Sequence, residues 1–280
     1  MQVDILRVPY DSGHERQRMG RGPDRLIESG LPAHIETLGH RTRVIDIQLE
    51  PGFTTEVAAA AELARRVSAA VTQSCEAQHF PLVLSGNCNT SLGTVSGLGG
   101  GTVGVIWFDA HGDFNTPETT PTGFFDGQAL AALTGRCWST LTATIPGFEP
   151  IDDASILLVG ARDLDERERD LLSLSCVIRV EASLAGLDTA LRALATKVQG
   201  VYLHVDLDVL DRDEATVNRY AAPDGVKVDQ LIGAVTRIGR AIPIRAAALT
   251  AYDPEYDPAG AVCAVAGRLV QTILTVARTP

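Results

Sequence analysis

Short apolar runs rich in Val, Ile and Leu alternate along this chain with longer segments whose apolar residues recur every three or four positions. VDILRVPY, TRVIDIQL, FPLVLSG, TVGVIWFDAHGD, ASILLVGARD, VIRVEA, GVYLHVDLDVLD and IRAAALTAYDP are predicted strands with the loops that follow them. GPDRLIESG, TTEVAAAAELARRVSAAVTQSCEA, NTSLGTVSGLGG, ERERDLLSL, AGLDTALRALATKV, KVDQLIGAVTRIGRA and PAGAVCAVAGRLVQTILTVAR are predicted helices. Strand–helix alternation of this kind predicts an α/β fold with a parallel sheet and crossover helices. No repeat, linker or low-complexity segment divides it, so one domain over 1–280 is expected. Polar residues gather at the C-terminal ends of the strands, where open parallel sheets bind ligands.

Composition narrows the function. A chain of 280 residues, 45% hydrophobic, can bury one large core. Its net charge of -11 argues against nucleic acid or an anionic membrane as partner. MQVDILRVPYDSG has no basic segment leading into an apolar one, and no apolar stretch approaches a membrane span, so a cytoplasmic protein is expected. The five cysteines have no C-x-x-C spacing, which excludes a zinc knuckle and a disulfide framework. Cys75, Cys137, Cys176 and Cys263 read as buried filler, Cys176 within LSLSCVIRV read as a buried apolar run. His14, His34, His40 and His79 read as surface residues, and His204 as a core histidine. GLGGGTVG reads as a turn rather than a dinucleotide loop, and no G-x-S-x-G nucleophile motif occurs.

The chemistry points to two acidic strand ends. VGVIWF runs into Asp109, His111 and Asp113, and YLHV runs into Asp206 and Asp208. Alternate residues of a strand share a face, but each pair advances about 6.6 Å, so three ligands meet at one centre only if the chain curls; Gly112 is the expected site of the curl. Two ions about 3.5–4 Å apart ease this, because one carboxylate can bridge them. Carboxylates ending a buried strand are costly unless paired or metal-bound. Either cluster alone also fits helix caps or turns; the two together point to metal.

WFDAHGDFNTPETTPTGFFDG, HVDLDVLD and SGNCNTSLG resemble the D-A-H-x-D-x-N-T-P, D-x-D-x-x-D and Gly-Gly-Asp/Asn-His blocks of the arginase, agmatinase and formiminoglutamase (ureohydrolase) family. GRGPDRLIESGL and GARDLDERE are similar to two further family segments, in the family order. The resemblance implies a three-layer α/β/α fold and two divalent ions, usually manganese. It implies Asp109 and Asp206 as bridging ligands, Asp113 completing one coordination sphere with the residue at 88, and His111 and Asp208 completing the other. A water activated between the ions would attack the planar carbon of a guanidino, amidino or formimino group, with Asp113 passing its proton to the departing nitrogen. Asn115, Thr120 and Thr122 match contacts to a substrate carboxylate, and Asp165 and Glu168 match contacts to its ammonium. Trimers or hexamers are the family's assemblies.

Three positions depart from the family pattern. Cys88 replaces a metal-binding His, and a soft sulfur ligand shifts preference toward zinc or iron. Asp126 replaces a proton-shuttling His, a role that a carboxylate fills near neutrality only with a raised pKa. Ala251 replaces the Glu that grips the guanidinium, leaving Asp253, Glu255 or Asp126 as stand-ins. The expected function is a dinuclear hydrolase for an amino-acid-like amidine with an altered head group. The alternative is a non-catalytic binding or regulatory protein on the same fold.

Overall fold

The apolar runs become one eight-stranded sheet in the computed structural model, which describes residues 1–50, 52, 55–99 and 103–277. Its strands are β1 (Gln2–Val8), β4 (Arg41–Asp46), β5 (Phe80–Ser85), β6 (Val103–Phe108), β7 (Ile156–Val159), β8 (Ile178–Val180), β9 (Gly200–Asp206) and β10 (Ile244–Thr250). A small hairpin pairs β2 (Tyr10–Asp11) with β3 (His14–Glu15). The strand order is β4-β1-β5-β10-β9-β6-β7-β8, and every pairing in it is parallel. Strands β5, β6 and β9 are buried on both faces, which is why they read as continuous apolar runs rather than alternating ones. The edge strand β4 instead exposes Arg41 and Arg43, charges that discourage pairing with another chain.

Helices cover both faces, so the architecture is the expected three layers. On one side lie α1 (Gly22–Glu28), α2 (Leu31–Thr37), α8 (Leu187–Ala195), α9 (Val228–Ala241) and α10 (Ala261–Val276), whose Leu26, Ile35, Leu191, Val235 and Leu269 pack against Val3, Leu82, Ile106 and Leu203. On the other lie α3 (Glu56–Glu76), α4 (Ser91–Gly97) and α5 (Ala129–Leu133), whose Val67, Leu92 and Leu130 meet Leu6, Val83, Val105 and Trp107. The short α6 (Ser139–Thr142) and α7 (Glu166–Ser173) complete the set, with Leu172 of α7 in the second core. Thr55 caps α3 by accepting the Ala58 N–H. The strand order reverses around the inserted β10 and β9, so β5, β10, β9 and β6 lie side by side and open their C-terminal ends into one crevice.

The predicted helices and strands all appear, with differences that have physical causes. The first strand ends at Val8, because Pro9 lacks the N–H that would continue the ladder, and the chain turns into the hairpin. Helices α2, α5 and α6 were not among the predicted elements; α5 and α6, of five and four residues, are too short to show a period. LSLSCVIRV is not a buried run: Leu174 is 84% exposed and Cys176 is exposed, and only Ile178–Val180 joins the sheet. Of the remaining cysteines, Cys137 is buried and Cys75 and Cys263 are half-buried. His14, His34, His40 and His79 are half-buried rather than solvated, His79 bonding Asp4 and His40 the N-terminal amine. In the Gly-rich stretch, residues 100–102 lie outside the described residues, while Gly97 closes α4, Gly99 has φ 88° and Gly104 belongs to β6. Thr54, at the start of the predicted helix TTEVAAAAELARRVSAAVTQSCEA, also lies outside them.

The contact of α3 with α4 depends on small residues. A Cβ on Gly93 would stand 2.3 Å from the Ala64 carbonyl oxygen and 2.9 Å from the Val67 Cβ. Backbone cannot yield there as a flexible side chain would. Gly93→Ala is expected to destabilise the fold by about 1–3 kcal/mol, read as a lower urea midpoint with an unchanged slope.

Candidate metal centre

Each strand bordering the crevice delivers a chemical group at its C-terminal end. Asp109, His111 and Asp113 follow β6; Asp206 ends β9 and Asp208 follows it; Cys88 follows β5; Thr250 ends β10, and Ala251 is next. All except His111 are buried. Donor atoms of Cys88, Asp109 and Asp113 lie within 4.8 Å of one another, and so do those of Asp109, His111 and Asp208. Asp109 belongs to both groups. Asp206 links them: its Oδ2 accepts from Cys88 Sγ at 3.1 Å, and its Oδ1 accepts the Asp208 N–H at 2.8 Å.

The curl after β6 is made at Asp113, whose φ is 48°, and not at Gly112. Gly112 serves a different purpose, because a Cβ there would stand 2.6 Å from Glu168 Oε1. Local hydrogen bonds hold the turn. Asp109 Oδ1 accepts the His111 backbone N–H at 2.7 Å and lies 3.2 Å from His111 Nδ1, while Trp107 Nε1–H donates to Asp109 Oδ2 at 2.9 Å. Asp208 accepts the Ala110 N–H, and Asn218 joins Asp208 Oδ2 to the Ala251 carbonyl at 3.2 and 2.8 Å. The loop carrying Asp208 is stapled by Arg162, whose guanidinium donates to the carbonyls of Gly160, Asp208, Val209, Leu210, Ala222 and Pro223.

Asp126 lies beneath Cys88. Its Oδ2 accepts from Asn87 Nδ2 at 2.8 Å and the Cys88 N–H at 3.1 Å, and its Oδ1 accepts the Asn89 N–H at 2.8 Å. Burial, opposed by these donors, pushes its carboxyl up to about 7. Glu168 is likewise pushed to about 7, by burial and then by Asp165, and it accepts the Phe114 N–H at 2.8 Å. Asp165 occupies the N-cap position of α7 without capping it; its carboxylate accepts from Asn115 Nδ2 at 2.9 Å instead. Thr120 and Thr122 accept the N–H groups of Gly123 and Phe124, leaving their hydroxyl hydrogens free for another acceptor.

These groups line a cleft of about 220 Å³ bounded by Met19, Phe124, Tyr220 and Ala251. Its walls carry Asp113, Asp126, Asp163, Asp165, Glu168, Asp206 and Asp208, and among the described residues no Lys or Arg lines it. Burial, and then mutual repulsion, raises the pKa of Asp109, Asp113 and Asp206. His111 is disfavoured as a cation by burial, yet Asp208 and Asp109 push it up to about 10. Asp113 Oδ2 is buried without any hydrogen-bond partner.

The candidate ligands and substrate contacts read from the sequence therefore lie around one cleft, with Asp109 just behind its wall. Trp107, Arg162, Asn218, Tyr220 and Phe124 were not among them. Arg162 stands in the GARD motif, but its carbonyl partners carry no sequence signature. Asp253 and Glu255, offered as stand-ins for a guanidinium anchor, are instead bound by Arg21 Nη2 at 2.9 and 3.0 Å. His204 is a core residue, stacked on Trp107 with ring centres 3.6 Å apart.

The raised carboxyls have a sign that can be tested without metal. Folded Asp126 and Glu168 retain protons up to about 7 that the unfolded chain releases near 3.8 and 4.5. The stability they contribute is full below about pH 4 and is lost as pH rises through about 7. Chelator-treated protein should therefore show a urea midpoint that falls across this window. The double variant Asp126→Asn, Glu168→Gln should show a shallower fall.

The profile of the Arginase family matches residues 1–275. The arginase of Bacillus caldovelox is 33% identical over 233 residues, covering 76% of this chain and 78% of that protein. In structure, the arginase of Bacillus cereus superposes with a TM-score of 0.89 over 98% of both chains at 26% identity. The formimidoylglutamase of Bacillus subtilis, at 19% identity, shares the fold with a TM-score of 0.79 over 98% of this chain and 86% of that one. With the strand-end acids, the crevice and the sheet order all in place, this protein belongs to the arginase family.

Proposed function

We propose that the protein is a dinuclear metal-dependent hydrolase that cleaves a C–N bond of a guanidino, amidino or formimino compound carrying an amino-acid-like tail. The observation that carries this reading is the buried carboxylate cluster that shares Asp109 between two ligand groups and leaves Asp113 Oδ2 unpartnered. Asp109, Asp113 and Asp206, buried with raised pKa values beside the buried Asp208, form a costly arrangement that two divalent cations would neutralise. The donors fit such a pair: Cys88, Asp109, Asp113 and Asp206 around one position, and Asp109, His111, Asp206 and Asp208 around the other. When bound, the two ions would supply a nucleophilic hydroxide near neutral pH and Lewis-acid stabilisation of the developing charge. Manganese is the family's usual metal, and the Cys88 sulfur favours zinc or iron more than an imidazole would.

The chain's own residues then have distinct tasks. Asp113, with a buried oxygen that has no hydrogen-bond partner, would hold the attacking water and carry its proton to the departing nitrogen. Asp126 lines the same cleft with its carboxyl half protonated near pH 7, the condition a proton relay needs, while its N–H donors fix the Cys88 turn. Asn115, Thr120 and Thr122 offer donors to a substrate carboxylate, and Asp165 and Glu168 offer acceptors to an ammonium. Where the family's anchoring Glu would stand, Ala251 presents a methyl, and Arg21 occupies Asp253 and Glu255.

Asp109→Asn or Asp206→Asn should remove bound metal and turnover together, measured by metal analysis after gel filtration. Retention of two ions and full turnover in either variant would refute the dinuclear assignment. The reaction itself is tested by incubating metal-reconstituted protein with guanidino, hydroxyguanidino, formimino and amide compounds and assaying urea, hydroxyurea, formamide or amine. Absence of stoichiometric metal and of any product would favour a non-catalytic binding protein.

A buried cation without a carboxylate partner forgoes hydrogen bonds worth about 1.5–3 kcal/mol, roughly ten- to a hundredfold in binding or rate. The protein should therefore hydrolyse arginine and agmatine poorly, and Ala251→Glu should tighten binding of a guanidinium ligand by about that factor. Thermal stability measured alongside separates this gain from overpacking. Efficient urea release from arginine by the unmodified protein, with no gain from Glu at 251, would show that another residue anchors the head group.

A further inference from the structure

A polar row crosses the sheet directly behind the cleft. Cys88 follows β5, Thr250 ends β10, His204 lies in β9 and Trp107 in β6, so the row steps through four adjacent strands. His204 and Trp107 are register partners, and their rings stack with an interplanar angle of 11°. His204 and Thr250 are wholly buried. Each imidazole nitrogen has a hydroxyl partner: Tyr202 Oη lies 2.9 Å from Nδ1, and Thr250 Oγ1 lies 3.3 Å from Nε2. Thr250 Oγ1 in turn lies 3.3 Å from Cys88 Sγ, while its other acceptor, the Val205 carbonyl, is farther at 3.5 Å.

We propose that Thr250 and His204 are positioning residues for the Cys88 sulfur, forming a directed hydrogen-bond row that holds it toward the metal position, an inference that rests on Cys88 being a ligand as argued above. The donors have one order that ends on sulfur. Tyr202 O–H donates to His204 Nδ1, His204 Nε2–H donates to Thr250 Oγ1, and the Thr250 O–H is left pointing at Sγ. A cysteine is shorter than the imidazole it replaces and has one rotatable bond to its donor atom, so a hydrogen bond from behind decides where the sulfur aims. The Trp107–His204 stack ties this support to that of Asp109, because the same indole donates to Asp109 Oδ2. Ligands on two different strands are thereby held by one packed unit. Supports of this kind are worth about ten- to a hundredfold in metal affinity.

The experiment uses the full chain and cobalt(II) as the metal, because a sulfur ligand to cobalt gives a near-ultraviolet charge-transfer band that requires no turnover. The wild type titrated with cobalt should show the band, and Cys88→Ser should lack it. Thr250→Val, which replaces the hydroxyl by a methyl of similar volume, should lower cobalt affinity about ten- to a hundredfold and move the band to lower energy, since sulfur without a donor releases charge more readily. Thr250→Ser should restore both. Tyr202→Phe, two hydrogen bonds from the sulfur, should move the band the same way by less, and provides the test if Thr250→Val folds poorly. A wild-type band and affinity in both Thr250→Val and Tyr202→Phe overturn the proposal while leaving Cys88 a ligand. Failure of Thr250→Ser to restore the band marks a packing effect and also overturns it. Absence of the band in wild type holding two cobalt ions overturns the ligand reading and this inference together.

Discussion

The structure is organised by the repulsion among carboxylates brought into one buried layer. Asp109, Asp113, Asp206 and Asp208 are each less than one-tenth exposed, and no Lys or Arg among the described residues lines the cleft they border. Burial and proximity raise the pKa of Asp109, Asp113 and Asp206, so the arrangement is stable only with protons or cations between the carboxylates. The parallel sheet makes such a concentration possible. Four adjacent strands end at one crevice, each burying its own length in apolar contacts, and those contacts hold the acids together against their repulsion.

The departures from the family pattern are physically connected. Asp126 accepts N–H groups from Asn87, Cys88 and Asn89, so the carboxyl in one substituted position shapes the turn bearing the other. At the opposite wall, Ala251 keeps a left-handed backbone, φ 61°, and its carbonyl is fixed by Asn218, while Arg21 withdraws Asp253 and Glu255 from the cleft. Ala251 therefore brings no carboxylate to this wall, and neither Asp253 nor Glu255 stands in for one.

Much of this was legible in the sequence, because its main signals are local. Continuous apolar runs mark strands buried on both faces, and acids at i and i+2 after such runs mark the crevice wherever the chain later brings them together. What stayed hidden were relations between strands. Trp107 reads as core until its indole N–H is seen on Asp109, and Thr250 as an ordinary strand end until it is seen behind Cys88. Gly112 was read as a hinge, but Asp113 makes the turn and Gly112 clears space for Glu168, more than fifty positions along. LSLSCVIRV misled for the converse reason, since apolarity without period cannot say which residues a short edge strand leaves in water.

Arg162 has a consequence of a different kind. Its guanidinium holds the loops around Asp208 solely through main-chain carbonyls, those of Gly160, Asp208, Val209, Leu210, Ala222 and Pro223. Carbonyls are present whatever the side chain, so this hold does not depend on which residues the loops carry at those positions. Exposed positions of the segment from Val209 to Pro223, such as Arg212, Asp213 and Thr216, are therefore open to change while the carboxylate beneath stays in register, whereas Asn218 and the buried Val209, Leu210 and Val217 are not. In this fold a half-buried cation grips loop backbone, so the outward side chains of those loops can change without loosening its hold.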